Sequence, residues 1–168
     1  MPSGGRTVPR TISHDTPLFE MTLRKYERPY GLSQREVVRR VCLCLGLLNP
    51  GDSRDAIVDI FYVLLSERKR RRLIGAEDLA RRVLGLRARF RKPALGVATS
   101  NVRRQLARLK ELLLVEKVGQ GYRITEWMSL DELFGERLDK VLLDSTVQRI
   151  REYLFLADGQ FSGKEPRK

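Results

Sequence analysis

In its second half the sequence changes from a helical repeat to a β-hairpin pattern, and this change restricts the possible folds sharply. Apolar side chains recur at intervals of four, three and four residues, at Val102, Leu106, Leu109 and Leu113. This spacing predicts a helix that begins at Thr99 or Ser100 and buries one narrow face. Two β-rich runs follow at 114–118 and 122–125, and the segment Gly119-Gln120-Gly121 between them is typical of a hairpin turn. The chain therefore combines helices with a small antiparallel hairpin.

Three further helices are predicted before this unit. Ser33 and Glu36 form a capping box that begins the first helix, and a second helix covers about 52–68. A third, short helix covers 76–84 and is stopped by Gly85. The inward stripe of the first helix is predicted to be Val37, Val41, Cys44, Leu45 and Leu48. The third helix is predicted to bury Leu79, Val83 and Leu84.

After the hairpin, a second capping box at Ser129 and Glu132 begins a C-terminal helix that extends to about Leu156. The predicted fold class is therefore mainly α with a small β-hairpin, that is, α+β. Four parts are expected along the chain: a partly flexible N-terminal arm at 1–31, a domain at 32–127, the C-terminal helix at 128–157 and a flexible tail at 158–168.

Positive charge is concentrated in one part of the sequence. The formal net charge is +12, and residues 68–110 contain fifteen Lys and Arg residues but only two acidic residues, Glu77 and Asp78. The regions on either side are close to neutral. A single basic block is typical of a surface that binds a polyanion, so nucleic acid is the expected partner.

Two segments of the basic block carry the candidate contacts. The linker 86–98 contains Arg87, Arg89, Arg91 and Lys92 around Phe90 and has no acidic residue, which favours contacts with the phosphate backbone. On the helix that follows, a projection at 100° per residue places Asn101, Arg104, Ala107, Arg108 and Glu111 opposite the apolar stripe. Gln105 lies on one flank of the stripe, and Arg103 and Lys110 lie on the other. Amide and guanidinium groups on an outward face are suited to contact base edges.

The sequence offers little material for catalysis. The single histidine, His14, lies in the arm without a partner, and Cys42 and Cys44 point in different directions around a helix. We therefore expect reduced, buried thiols, no metal, no cofactor and no enzymatic activity. No apolar run is long enough to cross a bilayer and the N-terminus lacks a secretory signal, so the expected location is the cytoplasm.

The order of elements in 73–125 resembles a winged helix-turn-helix domain of bacterial and archaeal transcription regulators. The stretch 102–117 resembles the recognition helix of that superfamily running into the first strand of its wing. The resemblance implies a winged helix-turn-helix fold with additional N- and C-terminal helices. The linker 86–98 is longer than the usual turn of the family.

In that superfamily the recognition helix enters the major groove and the wing contacts the adjacent backbone or minor groove. By position, the resemblance assigns groove contacts to Asn101, Arg104, Gln105 and Arg108. It assigns wing contacts to Lys117, Gln120, Tyr122 and Arg123. With the flanking residues, the predicted DNA-contacting set is Arg87, Arg89, Arg91, Lys92, Thr99, Ser100, Asn101, Arg103, Arg104, Gln105, Arg108, Lys117, Gln120, Tyr122 and Arg123.

The expected function is sequence-specific binding of double-stranded DNA by a transcriptional regulator. One alternative is an architectural protein that binds DNA or RNA without sequence preference. Another is a protein-docking winged-helix module of the transcription or replication machinery. The high charged fraction and the two asparagines are typical of a thermophilic or archaeal source.

The C-terminal helix has a broad apolar face and nearly balanced charges, which favours packing over DNA contact. It either folds back onto the first helices or pairs with a second copy in a homodimer. The predicted dimerisation residues are Leu130, Leu133, Phe134, Leu138, Val141, Leu142, Ile150 and Leu154.

Overall fold

The computed structural model describes residues 25–161. His14, most of the N-terminal arm and residues 162–168 of the predicted tail lie outside this range. The described chain is mainly helical with one small antiparallel sheet, which confirms the predicted α+β class. In chain order its helices and strands are α1 Gln34–Cys44, α2 Ala56–Arg68, α3 Ala76–Arg89, α4 Thr99–Glu111, β1 Val115–Val118, β2 Gly121–Ile124, α5 Leu130–Leu133, a π-helical segment Phe134–Leu143 and α6 Asp144–Phe161.

Helix α2 forms the centre of the core. It is apolar around most of its circumference, and Ile57, Val58, Ile60, Phe61 and Leu64 are buried. A helix with apolar residues on every side is stable only when other elements surround it. Helices α1, α3 and α4 and strand β2 pack around α2 and supply that cover.

Helix α1 begins after Ser33 as predicted, but only the Ser33 half of the predicted capping box forms, and its first two turns bury a different face, while Leu45 and Leu48 are buried as predicted. The Ser33 hydroxyl accepts a hydrogen bond from the backbone N–H of Glu36 at 3.3 Å, so Ser33 is the N-cap. The inward residues are Val38 and Cys42, while Val37 is exposed. The helix ends at Cys44, because Gly46 adopts a left-handed φ of 67° and turns the chain. The predicted stripe was therefore wrong by one position over its first two turns.

The segment before α1 lies against the body. Residues 25–33 have no regular structure, and residues 25–30 line a groove of about 940 Å³ together with α1 and Phe134. Glu27 forms an ion pair with Arg40 of α1 at 3.6 Å. The last residues of the predicted arm are thus in contact with the domain.

Helix α3 continues through Gly85 to Arg89, so the predicted stop at Gly85 was wrong. Leu79 and Val83 are buried as expected, but Leu84 is exposed. A glycine inside a helix costs only about 1 kcal/mol relative to alanine, which packing on α2 and α4 offsets.

Helix α4 and the hairpin follow the prediction closely. Val102, Leu106 and Leu109 are fully buried. The N-cap is Ala98, which has no side-chain cap, so neither Thr99 nor Ser100 has the predicted capping role. Leu112 replaces Leu113 as the last inward residue, because Leu113 adopts a left-handed φ of 58° where the helix turns into β1.

Strands β1 and β2 pair antiparallel, with Glu116 opposite Arg123 and Lys117 opposite Tyr122. Residue Ile74, before α3, adds an isolated bridge: its N–H and C=O bond to the backbone of Tyr122 at 3.1 and 2.8 Å. Gly121 fits beside this bridge only because it lacks a Cβ, which would lie 2.8 Å from the Cβ of Leu73. The hairpin is therefore fixed to the residues that precede α3.

The C-terminal region divides into two halves. Ser129 and Glu132 form the predicted capping box, and helical structure then continues to Phe161, four residues into the predicted tail. Leu133 and Leu138 are buried within the protomer, which corrects their assignment to a dimer surface. Leu130 and Leu142 are partly buried against the same core. None of the 18 residues of α6 is buried. The first half folds back, and only the second half remains uncovered.

Candidate nucleic-acid interface

The outer face of α4, formed by Asn101, Arg104, Ala107, Arg108 and Glu111, points away from the core. Arg104, Ala107 and Glu111 are exposed, and Asn101 and Arg108 are half-buried. This arrangement follows from the burial of Val102, Leu106 and Leu109 on the opposite side. The predicted outward orientation of the face is confirmed.

Asn101 links the linker to the outer face of α4. Its Nδ2 donates to the carbonyl oxygen of Gly96 at 2.6 Å. Its Oδ1 accepts hydrogen bonds from Arg104 Nη2 at 2.7 Å and from Gln105 Nε2 at 3.3 Å. The side-chain oxygen thus accepts two hydrogen bonds, and one of the two amide N–H donors is used. In this arrangement Asn101 orients Arg104.

Gln105 and Arg108 continue this network toward α1. Gln105 is only 9% exposed, and its Oε1 accepts from Arg108 Nη1 at 3.0 Å. Arg108 Nη2 lies 3.4 Å from the carbonyl oxygen of Gly46, in the connection after α1. The burial of Gln105 corrects its assignment as a groove contact. Its role is to hold Arg108.

The first turn of α4 offers backbone donors. Because Ala98 provides no side-chain cap, the N–H groups of Thr99, Ser100 and Asn101 have no helical partner. Ser100 is exposed and Thr99 is half-buried. Orphan amides at a helix N-terminus, together with the helix dipole, favour an anionic ligand such as phosphate.

Arg87 does not lie on this surface. It is 1% exposed and belongs, with Arg35, Asp55 and Asp59, to a buried charge cluster. Arg87 Nη1 lies 3.0 Å from Asp55 Oδ1 and also contacts Asp59, while Arg87 Nε donates to the carbonyl oxygen of Pro93 at 2.7 Å. The prediction that Arg87 contacts DNA is therefore wrong, because its charge is neutralised inside the protein.

The buried charge cluster joins α1, α2 and α3. Arg35 donates to Asp59 Oδ1 at 2.7 Å and to Asp55 Oδ2 at 2.8 Å. Burial alone would raise the pKa of Asp55, but hydrogen bonds from Arg35 and Arg87 and their positive charges outweigh it, so this pKa lies below its ordinary value. Both carboxylates therefore have two cationic partners. Through Pro93 the cluster also fixes the linker that leads into α4.

Arg89, at the end of α3, and Arg91 and Lys92 of the linker remain exposed. The Lys92 ammonium lies 3.9 Å from Asp55 Oδ2, at the edge of the charge cluster. Phe90 packs edge-on against Tyr62, with ring centroids 6.3 Å apart, and Arg35 lies 5.9 Å from its ring centre. Phe90 anchors the linker, while the neighbouring cations face solvent.

Part of the basic run at 68–72 has a structural role. The buried carboxylate of Glu67 accepts from Arg70 at 3.2 Å and from Arg82 at 2.9 Å. Arg68 donates to the carbonyl oxygen of Met128 at 3.1 Å. These contacts connect α2 to α3 and to the C-terminal region. They explain Arg68 and Arg70 of the run, and Arg82 of α3, without any need for a ligand.

Two of the four hairpin residues in the predicted DNA-contacting set are fully exposed, and two are half-buried. Lys117 and Gln120 are exposed, as a contact surface requires. Arg123 donates to Glu116 at 2.7 Å and lies 5.1 Å from the ring centre of Trp127. Tyr122 is half-buried beside Ile74. Lys117 and Gln120 are therefore the hairpin residues that are available to a ligand.

The cysteines behave differently from each other. Cys42 is fully buried, and burial raises the pKa of its thiol to about 12. Cys44 is only half-buried, so the prediction of two buried thiols holds for Cys42 alone. Within residues 25–161 there is no group of three His, Cys, Asp or Glu side chains that could hold a metal ion. Among the helices of the same range, none is long and apolar enough to cross a bilayer.

Comparisons with known proteins do not assign this chain to a family. Family models, curated protein sequences and solved structures all give no match. The function therefore has to be inferred from the geometry of the α4 outer face, the linker and the hairpin.

Proposed function

We propose that this protein binds double-stranded DNA through α4 and acts as a transcriptional regulator of the winged helix-turn-helix type. Three helices, α2 to α4, precede the β1–β2 hairpin, in the order that such domains have. In this proposal α4 is the recognition helix and the hairpin is the wing. The major groove of B-DNA is wide enough to admit an α-helix. Helix α4 has thirteen residues and a polar outer face.

One observation carries the proposal: most cations around the α4 outer face are not neutralised, although Arg103 pairs with Glu77 at 3.8 Å and Lys92 with Asp55 at 3.9 Å. In the part of the chain that the structure describes, no carboxylate oxygen lies within 4.0 Å of the charged groups of Arg89, Arg91, Arg104, Arg108 or Lys110. Buried or paired arginines elsewhere in the basic block show that this protein satisfies a cation where packing requires it. The unpaired cations favour an anionic ligand on this side of the molecule.

The mechanism is binding without turnover. Arg89, Arg91 and Lys92, with the free amides of the first turn of α4, contact phosphates and release counterions. Arg104 projects from the middle of the outer face and uses one of its five N–H donors on Asn101. The remaining donors suffice for a bidentate contact with O6 and N7 of guanine.

The fixed orientation of Arg104 favours base recognition over purely architectural binding. Asn101 is attached to the backbone of Gly96 and in turn holds the Arg104 guanidinium. A contact with phosphate alone does not require such a support, because phosphates accept hydrogen bonds over a wide range of angles. Oriented side chains lose less entropy when they bind one base.

A matched pair of arginine variants tests the proposal. A duplex should first be selected from a random pool with the native protein, and a scrambled duplex of equal length serves as the reference. Arg104→Ala should weaken binding to the selected duplex by about 1–3 kcal/mol in fluorescence anisotropy and have a smaller effect on the scrambled duplex. Arg149→Ala, which removes an exposed arginine on α6, should leave both affinities unchanged.

Equal losses on the two duplexes would show that Arg104 contacts only the backbone and would favour the architectural alternative. Equal affinities for the native protein and Arg104→Ala on both duplexes would refute the assignment of the α4 outer face.

A further inference from the structure

Helix α6 carries an apolar seam that no other segment of residues 25–161 covers. Its packing is mainly against the preceding π-helical segment, and Ile150, Leu154 and Phe161 are 52%, 60% and 91% exposed. Large apolar side chains scattered singly on a surface need no explanation, but a continuous row of them marks an interaction site. The row follows the spacing 4-3-4-3-4: Leu143, Val147, Ile150, Leu154, Ala157 and Phe161.

This spacing identifies the kind of partner. Apolar residues that alternate at intervals of three and four residues form the a and d positions of a heptad repeat, which packs against another helix by knobs-into-holes contacts. With Val147, Leu154 and Phe161 as a positions, Arg151 and Asp158 both occupy e positions. They flank the same side of the seam one heptad apart and carry opposite charges.

The charges make the seam complementary to a second copy of itself in the antiparallel direction. In antiparallel helix pairs, residues at e positions face e positions of the other helix. One register places Arg151 beside the partner's Asp158, Ile150 against the partner's Phe161 and Leu154 against the partner's Ala157. The next register, shifted by one heptad, would bring two Arg151 side chains together and Asp144 beside the partner's Asp158. Electrostatic repulsion therefore disfavours this shifted register relative to the first.

A parallel pair is less favourable. There, residues at e positions face g positions, so Arg151 and Asp158 would meet the uncharged Thr146 and Tyr153. No ion pair would form across the interface. A membrane surface is also a poorer fit, because α6 carries three acidic residues and only two arginines, whereas helices that bind anionic lipid are rich in Lys and Arg.

We infer that two copies of this chain dimerise through antiparallel pairing of α6, with Ile150, Leu154, Ala157 and Phe161 in the seam and Arg151 paired with the partner's Asp158. This interface does not depend on DNA binding. Its centre lies near residues 155 and 156, so the two Leu143 residues are about 38 Å apart along the helix axis at 1.5 Å per residue.

Two leucines of α6 provide matched variants for the test. Leu154 lies in the seam, whereas Leu156 is similarly exposed, at 51%, on the opposite side of the helix. Sedimentation velocity of the full chain over a range of concentrations should show a dimer, and Leu154→Lys should raise its dissociation constant about tenfold or more. Leu156→Lys should leave it nearly unchanged. Both variants should keep the helical circular dichroism of the native protein, because neither side chain is buried.

Charge reversal and cross-linking test whether the two α6 helices pair in the antiparallel direction. Arg151→Glu should weaken the dimer, and the double variant with Asp158→Arg should restore it. In a Cys44→Ser background, an equal mixture of Ile150→Cys and Phe161→Cys proteins should form a disulfide-linked dimer, whereas Ile150→Cys alone should not.

Four results would overturn the inference. They are a native protein that stays monomeric at all concentrations, equal effects of Leu154→Lys and Leu156→Lys, disulfide formation by Ile150→Cys alone, and a monomer that binds anionic phospholipid vesicles through Leu154. The last result would assign the seam to a lipid surface.

Discussion

The buried charge cluster contains two arginines and two aspartates whose formal charges cancel. Taking charged groups out of water is costly, and only close, well-directed partners offset that cost. Each carboxylate here contacts both guanidinium groups. Removing one member leaves the others buried without their partner. At the scale of single residues, this cluster is where stability is most sensitive to substitution.

Arg87→Ala should therefore lower the free energy of unfolding by about 3–5 kcal/mol, because Asp55 and Asp59 would lose one of their two partners. Arg89→Ala removes an exposed arginine two residues away and should change the free energy of unfolding by less than about 0.5 kcal/mol. Urea denaturation of both variants checks the difference. A loss for Arg87→Ala no larger than that for Arg89→Ala would contradict the burial of this side chain.

The cluster also predicts a dependence of stability on pH. The pKa of Asp55 is lower in the folded protein than the value of about 3.9 in an unfolded chain, so acid protonates the unfolded state first. The stabilisation is complete above about pH 4 and is lost as the pH falls through the folded pKa. Asn cannot ionise, so the destabilisation caused by Asp55→Asn should be smaller at pH 3 than at pH 6.

Chemical denaturation of Asp55→Asn and the native protein at the two pH values tests this prediction. Asp139→Asn, at an exposed position, should change the free energy of unfolding by the same small amount at pH 3 and at pH 6. A destabilisation by Asp55→Asn that is equal at pH 3 and pH 6 would show that Asp55 has an ordinary pKa.

The sequence contained a signal for the buried charge cluster, but the predicted end of α3 at Gly85 left Arg87 outside the helix. Arg87 follows Leu79 and Val83 at the same four-residue spacing, which places it on the buried side of α3 if the helix passes Gly85. Asp55 and Asp59, four residues apart at the start of an apolar helix, required cationic partners. The contact of Arg108, which Gln105 holds, with the carbonyl oxygen of Gly46 had no local signal, because Gly46 lies in a distant segment.

At the scale of elements, two glycines have opposite roles. Gly85 lies inside α3 with open space where a Cβ would be, whereas a Cβ on Gly121 would lie 2.8 Å from the Cβ of Leu73. Gly85→Ala should stabilise the protein by about 0.5–1 kcal/mol through higher helix propensity. Gly121→Ala should destabilise it by about 1–3 kcal/mol by forcing the hairpin away from Leu73.

Thermal unfolding followed by circular dichroism measures both effects. The expected result is a higher Tm for Gly85→Ala and a lower Tm for Gly121→Ala. A decrease for Gly85→Ala would indicate that α3 is interrupted at that position. An unchanged Tm for Gly121→Ala would mean that the hairpin is not held against Leu73.

Elements defined by local patterns were predictable, and those defined by distant contacts were not. The spacing of Val102, Leu106 and Leu109 fixed α4, and the glycines at 119 and 121 fixed the hairpin. The inward face of α1 depends on how it docks on α2, so its prediction was wrong by one position. The first half of the C-terminal helix folds back onto the core, which is one of its two predicted fates, and dimerisation through the exposed second half stays a prediction.

At the scale of the whole molecule, some of the positive charge is paired within the protein and some is left unpaired. The charge block from 68 to 110 was visible in the sequence, but the sequence could not show which cations are neutralised internally. Arg70, Arg82 and Arg87 have carboxylate partners, whereas Arg89, Arg91, Arg104 and Arg108 have none among residues 25–161. Unpaired cations therefore lie at the end of α3, on the linker and on α4, where the proposed DNA contacts are, and also at Lys69 and Arg71 after α2.

The salt dependence of DNA binding tests this account most directly. With on the order of eight phosphate contacts per protomer, affinity should fall by about 10³- to 10⁵-fold between 50 and 200 mM salt. The measurement is a gel-shift titration of the native protein against the duplex upstream of its own gene, a scrambled duplex and a duplex RNA. We expect a preference for the upstream duplex that persists as salt rises. Failure to bind any of the three at 50 mM salt would contradict the assignment of the α4 face to nucleic acid.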